Sequence, residues 1–127
     1  MTGKLFHRFP MLRIDRVLRV EPGASATALV ALSGNDAMLR GAPFCPPSLL
    51  VETIAQVAAL YAEEEERRQS GFLAALTGFA FGDPVPWGSV LEVSSRHAGR
   101  FGRLVRAAGE ARVGDRLACR GEITIAL

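Results

Sequence analysis

A glutamate and a glutamine interrupt one of the most apolar stretches of this 127-residue chain. Between Leu49 and Tyr61 almost every residue suits a dry protein interior, except Glu52 and Gln56. Apolar surroundings disfavour the ionised form of a carboxyl group, which suits a residue that donates a proton near neutral pH. The i, i+4 spacing brings the Gln56 amide to the same helix face, where it can hydrogen-bond the carboxyl. From the residue types alone, two roles are equally favoured for Glu52: a catalytic acid, or a buried residue in a structural hydrogen-bond network.

The stretch that carries Glu52 is predicted to be one long helix. Pro46 and Pro47 suit a helix start, because the first helical positions need no N–H donor. Apolar side chains then recur at helical spacing, and Gly71 ends the helix after the charged run EEEERRQSG. A helix that is apolar on nearly every side must be covered on most of them.

Six segments with strand character accompany this helix. They are residues 12–21, 24–33, 72–81, 89–98, 101–113 and 115–127. The first two form a predicted hairpin around Pro22-Gly23. One helix and about six strands joined by short turns predict an α+β fold, with an antiparallel sheet packed on the helix. We expect a single domain over residues 1–127, and the exposed edge of such a sheet favours dimerisation.

Composition excludes several classes of protein. The chain is 49% hydrophobic and 22% charged, as ordinary globular domains are. Its longest near-apolar run, residues 49–62, is shorter than the roughly 20 residues of a transmembrane helix, so we expect no membrane insertion. The N-terminus lacks the pattern of a signal peptide. Cys45 and Cys119 form no disulfide framework, and no Cys/His spacing suits zinc. We therefore expect a cytoplasmic protein without a metal.

Arginines are concentrated in the last third of the chain. Residues 96–120 contain seven arginines and two acids, a local balance of 7 − 2 = +5, although the whole chain carries only +2. Such a stretch is either a solvated sheet face or a docking surface for an acidic partner. Aromatic side chains do not alternate with these arginines to stack on bases, so we expect no nucleic-acid partner.

Four segments closely resemble the 3-hydroxyacyl-acyl-carrier-protein dehydratases of the FabZ/FabA type. They are HRFPMLRIDRVLRVEPG (7–23), Asn35-Asp36 followed by Gly41, VETIAQ (51–56) and DPVPWGSVLEV (83–93). The resemblance covers essentially the whole chain. It implies the hot-dog fold, in which an antiparallel sheet wraps a long helix and joins a second sheet in a dimer, and it implies no cofactor.

The resemblance also implies a reaction, the elimination of water from a 3-hydroxyacyl thioester of acyl carrier protein or coenzyme A. In that family a histidine of one protomer is the base, and a helix carboxylate of the other handles the leaving hydroxyl. A backbone N–H at the helix start polarises the thioester carbonyl. Glu52 matches the carboxylate and Gln56 the glutamine one turn later. The substrate is then expected to contact the segment before the helix and its first turn, at Gly41, Ala42, Phe44, Pro47 and Ser48.

The segment GAPFCPPS (41–48) departs from that family because it has no histidine. Alignment on Gly41 puts Ala42 in the position of the base, and an ungapped count back from Glu52 puts Met38 there. Neither side chain accepts a proton. Pro47 replaces the helix-start glycine and has no N–H, so Ser48 would have to supply the donor.

The chain has two histidines elsewhere. His7 matches a histidine of the family's own N-terminal segment, for which a structural role is the simplest, although it is a candidate substitute base. His97 is expected to be exposed, near a hairpin around Gly99. Cys45 precedes the helix start, where a thiolate can be stabilised, but a small buried hydrophobe is the more ordinary role.

Three functions fit these residues. The first is a divergent dehydratase with rearranged catalytic groups. The second is an acyl-binding subunit without activity of its own, whose Glu52 completes a site with a histidine-bearing paralogue. The third is a hot-dog thioesterase, in which the helix carboxylate activates water or attacks the thioester. The homodimer and the heterodimer both remain open.

Overall fold

The computed structural model describes residues 14–32, 43–62 and 71–127. Within these residues the chain forms one α-helix and six β-strands. In chain order they are β1 (Arg16–Glu21), β2 (Ser25–Ala31), α1 (Pro47–Tyr61), β3 (Phe72–Phe81), β4 (Val90–Phe101), β5 (Leu104–Val113) and β6 (Arg116–Ala126). The predicted α+β fold is confirmed.

All six strands belong to one antiparallel sheet, in the order β1-β2-β4-β5-β6-β3. The helix lies across one face of this sheet and contacts mainly β4 and β2. Side chains alternate between the two faces of a strand, so alternate residues of β4, such as Leu91 and Val93, point at the helix and are fully buried. This is the hot-dog arrangement that the resemblance implies.

Several element boundaries differ from the sequence-based prediction, and the two most informative differences are at the end of α1 and at the β4–β5 turn. Helix α1 ends at Tyr61 rather than at Gly71, because Ala62 has extended backbone angles. The Gly23 N–H donates to the Tyr61 carbonyl at 2.6 Å, so the β1–β2 turn satisfies the end of the helix. Strand β4 continues through Gly99, which lies at a register shift, and the turn follows at Gly102.

The middle of the sheet has no side chain where α1 crosses it. Gly109 on β5 pairs with Ser95 on one side and with Gly121 on the other. A Cβ at Gly109 would lie 2.5 Å from Ile54 Cγ2 and 2.9 Å from the Ser94 carbonyl oxygen. Ile54 has no solvent exposure. The glycine therefore sets how closely the helix approaches the sheet.

Strand β3 forms an edge of the sheet and pairs only with β6 among the described strands. Its side chains are exposed except for Phe79, whose ring packs over Gly121 and occupies the space that a Cβ there would need. The exposed residues include Phe72, Leu73 and Leu76. Unpaired backbone and exposed apolar side chains make this edge suited to pairing with another strand.

A methyl group at Gly109 is expected to destabilise the protein. Gly109→Ala places a Cβ against Ile54 and a backbone carbonyl, and such overpacking typically costs about 1–3 kcal/mol. Urea denaturation would measure the loss. Ala108→Ser, one residue away on the opposite face of β5, serves as the control and should change the free energy of unfolding little. A Gly109→Ala variant as stable as the wild type would contradict the close approach.

Burial raises the pKa of the Cys119 thiol from 9.0 to about 11, partly offset by a backbone hydrogen bond to Ala111. The unfolded chain loses this proton near pH 9 while the folded chain keeps it. The stability that the neutral thiol contributes is therefore complete below pH 9 and is lost as the pH rises through about 11. We expect the free energy of unfolding to fall more steeply between these pH values for the wild type than for Cys119→Ala. Parallel pH profiles of the two proteins would contradict this.

Candidate functional site

Two consecutive prolines shape the start of α1. Pro46 is the N-cap residue, with φ −62° and ψ 141°, and Pro47 begins the helix. Neither has an N–H, and the Leu49 N–H donates to the Pro46 carbonyl at 3.0 Å. The Ser48 N–H is thus the first donor of the helix, and it has no acceptor among the described residues. The predicted helix start is confirmed, and Ser48 offers the donor that Pro47 lacks.

One stripe of the helix is not covered by the sheet. From Ser48 to Tyr61 every residue is buried except Ser48, Glu52, Ala55 and Ala59. These positions follow the spacing i, i+4, i+7 and i+11, which places them on one side of the helix. We call them the open stripe of α1. Ser48 and Glu52 therefore lie one turn apart on the same side of the helix, and the Ser48 N–H points along the axis out of the helix start.

Glu52 and Gln56 form the contact that their spacing predicts. The Gln56 Nε2 donates to Glu52 Oε1 at 3.4 Å, a long hydrogen bond. Gln56 is fully buried, whereas Glu52 is half-buried. The amide thus holds the carboxyl from the interior side. The neighbouring Thr53 hydroxyl is not available to it, because that hydroxyl donates to the Leu50 carbonyl at 2.7 Å.

The remaining predicted substrate contacts are only partly described. Pro47 is exposed at the helix start, and Phe44 is exposed in the segment before it. The Cys45 N–H donates to the Val85 carbonyl at 2.9 Å, which ties this segment to the chain that enters β4. Gly41 and Ala42 lie outside the described residues, as do Met38 and His7.

His97 is exposed, as predicted, but it lies at the wrong end of the helix for Glu52. Its N–H donates to the Ala24 carbonyl at 2.7 Å, next to the turn that contacts Tyr61. Glu52 is nine residues before Tyr61, about 13 Å along the helix axis. His97 therefore does not reach the Glu52 carboxyl within one protomer.

Cys45 is a buried residue of the helix start. The residue is 4% exposed, and its thiol donates to the Pro46 carbonyl oxygen at an Sγ–O distance of 3.6 Å.

Within residues 14–32, 43–62 and 71–127, no group of histidine, cysteine and acidic side chains could hold a metal ion. In the same ranges no helix is long and apolar enough to cross a bilayer.

The arginine-rich stretch is divided between several local contacts. Arg106 pairs with Glu122 at 3.1 Å, and Arg112 pairs with Glu110 at 3.1 Å. Arg100 Nε donates to the Gly102 carbonyl at 3.0 Å. The run of positive charge in the sequence is therefore not one uniform surface. Sequence spacing indicates the Glu110–Arg112 pair, two residues apart on one strand, but not the Arg106–Glu122 pair, which joins β5 to β6.

No family model matches this chain. A 3-hydroxyacyl-[acyl-carrier-protein] dehydratase FabZ of Macrococcus caseolyticus is 35% identical over 128 residues, which span 95% of this chain and 88% of that protein. FabZ of Bacillus velezensis is 33% identical over 127 residues, which span 95% of this chain and 90% of that protein.

Solved structures confirm the fold. The dehydratase heterocomplex ApeI:P from Xenorhabdus doucetiae aligns with a TM-score of 0.74 and 18% identity, over 97% of this chain and 87% of that chain. A homologue of HP0420 from Helicobacter felis aligns with a TM-score of 0.70 and 12% identity, over 99% of this chain and 86% of that chain. Sequence identity above 30% over nearly the full length of both proteins is the stronger finding, and it shows that the chain belongs to the FabZ family of 3-hydroxyacyl-[acyl-carrier-protein] dehydratases.

Proposed function

We propose that this chain binds a 3-hydroxyacyl thioester along the open stripe of α1 and has little dehydratase activity on its own. The observation that carries the proposal is that Ser48 and Glu52 lie one turn apart on the open stripe, with the buried Gln56 amide donating to the Glu52 carboxyl. FabZ relatives are named for acyl-carrier-protein substrates, which supports a thioester of acyl carrier protein or coenzyme A.

The spacing of these groups fits such a substrate. Ser48 and Glu52 are one helical turn apart, about 6 Å along the axis. The Ser48 N–H would polarise the thioester carbonyl, and the Glu52 carboxyl would act as the acid that gives a proton to the 3-hydroxyl. When a base takes the proton on C2, the C2–H electrons form the C2=C3 double bond, the C3–O bond breaks and water leaves. Gln56 would orient the carboxyl through its amide.

Among the described residues no base accompanies Glu52, and His7 lies outside them. The resemblance assigns that role to a histidine, yet GAPFCPPS has none, and His97 is at the far end of the helix. A positioned base contributes about 10²–10⁴ to the rate. A site without it would retain substrate binding, because the donor and the carboxyl do not depend on the base.

A second candidate is a heteromeric dehydratase, in which a histidine-bearing paralogue supplies the base to Glu52. The similarity to a dehydratase heterocomplex favours this candidate. So does the exposed edge of β3, which suits strand pairing with a related subunit. A homodimer through the same edge would contain two sites in which the described residues provide no base.

Acyl carrier protein is the proposed delivery partner of either assembly. Its docking would use basic residues near the β4–β5 turn, where Arg103 is exposed. Arg106, also on this surface, is already paired with Glu122, so it contributes less free positive charge than the sequence predicts.

The purified protein is expected to hydrate crotonyl thioesters at least a hundredfold more slowly than a histidine-bearing FabZ in the same assay. Glu52→Gln should remove the residual activity without changing the melting temperature. Glu92→Gln, the same change at an exposed strand position, is the control and should leave activity as it is. Turnover equal to that of FabZ would contradict the first expectation, and an active Glu52→Gln variant would contradict the role of the carboxyl.

Mixing with a histidine-bearing FabZ-type paralogue tests the heteromer. We expect dehydration to rise at least tenfold above the sum of the separate proteins, and Glu52→Gln to abolish the gain. Absorbance of the enoyl thioester would follow the reaction, and size-exclusion chromatography would follow the assembly. The absence of any gain would speak against the heteromer. Release of free thiol from acyl thioesters would instead identify a thioesterase.

A further inference from the structure

A groove lies on the face of the sheet opposite α1. Its volume is about 610 Å³, within the range of roughly 300–1,000 Å³ that small-molecule sites occupy. The groove exists because small side chains such as Ser94 and Ala108 form its floor. Ser94 is the neighbour of Val93 and Ser95, which are buried on the helix side, so it points away from the helix. The groove is thus separate from the Glu52 side.

Three arginines surround Ser94 on this face. Ser94 pairs through Thr27 with Arg19 on β1, and through Glu110 with Arg120 on β6. Each of these arginines is two strands away, about 10 Å by Cα, and Arg96 is two residues along β4, about 7 Å away. All three line the groove. Their side chains are long enough to converge above the Ser94 hydroxyl, which lies 3.2 Å from the Thr27 hydroxyl.

The acids of the groove do not neutralise these arginines. Glu110 is held by Arg112, and Glu122 is held by Arg106, each at 3.1 Å, and neither of those two arginines lines the groove. Arg19, Arg96 and Arg120 have no ion-pair partner among the described residues. With the two glutamates already paired, three positive charges remain for a ligand.

The chemistry of the lining selects the kind of ligand. Guanidinium groups and hydroxyls bind phosphate oxygens, the former often with two hydrogen bonds. The volume exceeds what one phosphate ion fills, so an organic part is needed as well. No large apolar side chain lines the groove, and protein interfaces need apolar or aromatic anchors. The geometry points to a second ligand site on this protein, a groove for a small organic molecule that bears phosphoryl groups.

Binding of inorganic pyrophosphate and of ADP to the wild-type protein, measured by calorimetry, tests this site. We expect saturable binding to one site, at least threefold tighter for ADP, and amide NMR shifts at Ser94 and Gly109. Arg19→Gln and Arg120→Gln should each weaken binding at least fivefold. Arg16→Gln and Arg116→Gln remove the same charge from the same two strands outside the groove, and should change affinity less than twofold.

Several results would overturn the proposal. They are the absence of binding, equal losses in the four variants, and ADP affinity no better than that of pyrophosphate. Loss of acyl-carrier-protein affinity in Arg19→Gln and Arg120→Gln, without pyrophosphate binding, would assign the groove to a protein partner instead. Glu52→Gln is expected to bind pyrophosphate like the wild type, so the outcome is independent of the thioester proposal.

Discussion

The close approach of α1 to the sheet is the constraint on which the other features depend. Ile54 occupies the space that a side chain at Gly109 would need, and this brings the helix onto β4 and β5. With that side of the helix buried, only the open stripe is left for chemistry. The same contact places Gln56 in the interior, where its amide can hold Glu52 while the carboxyl stays accessible.

The two faces of the sheet divide the charged groups of the protein. Among the described residues, the helix side carries mainly apolar side chains, with the Glu52–Gln56 pair, Thr53 and Ser95 as polar exceptions. On the opposite face Arg106 and Arg112 pair with glutamates, and the three arginines around Ser94 have no ion-pair partner within the described part of the chain. Because alternate residues of each strand belong to opposite faces, one strand can serve both environments without compromise. A change on one face therefore need not disturb the other.

Much of the fold follows from local sequence. The bounds of β3 and the proline helix start are as predicted, since both depend on residue types within a few positions. The end of the helix is not, because it is set by the Gly23 N–H at the Tyr61 carbonyl, a contact between residues distant in sequence. Glu52 and Gln56 could be found from their spacing. Arg19 could not be linked to Arg120, because only the strand order brings β1 and β6 onto one groove.

The tandem prolines have a consequence for what the helix start can hold. Helix N-termini bind anions well when several N–H groups point at them together. Here Pro46 and Pro47 have no N–H, and the Leu49 N–H donates to the Pro46 carbonyl. The Ser48 N–H is therefore the one amide of the first turn that faces a ligand. A single amide suits a neutral carbonyl oxygen, which accepts one hydrogen bond well, more than it suits a carboxylate. On the proposed function, the helix start should therefore discriminate between an intact acyl thioester and the free fatty acid, and resist inhibition by the latter.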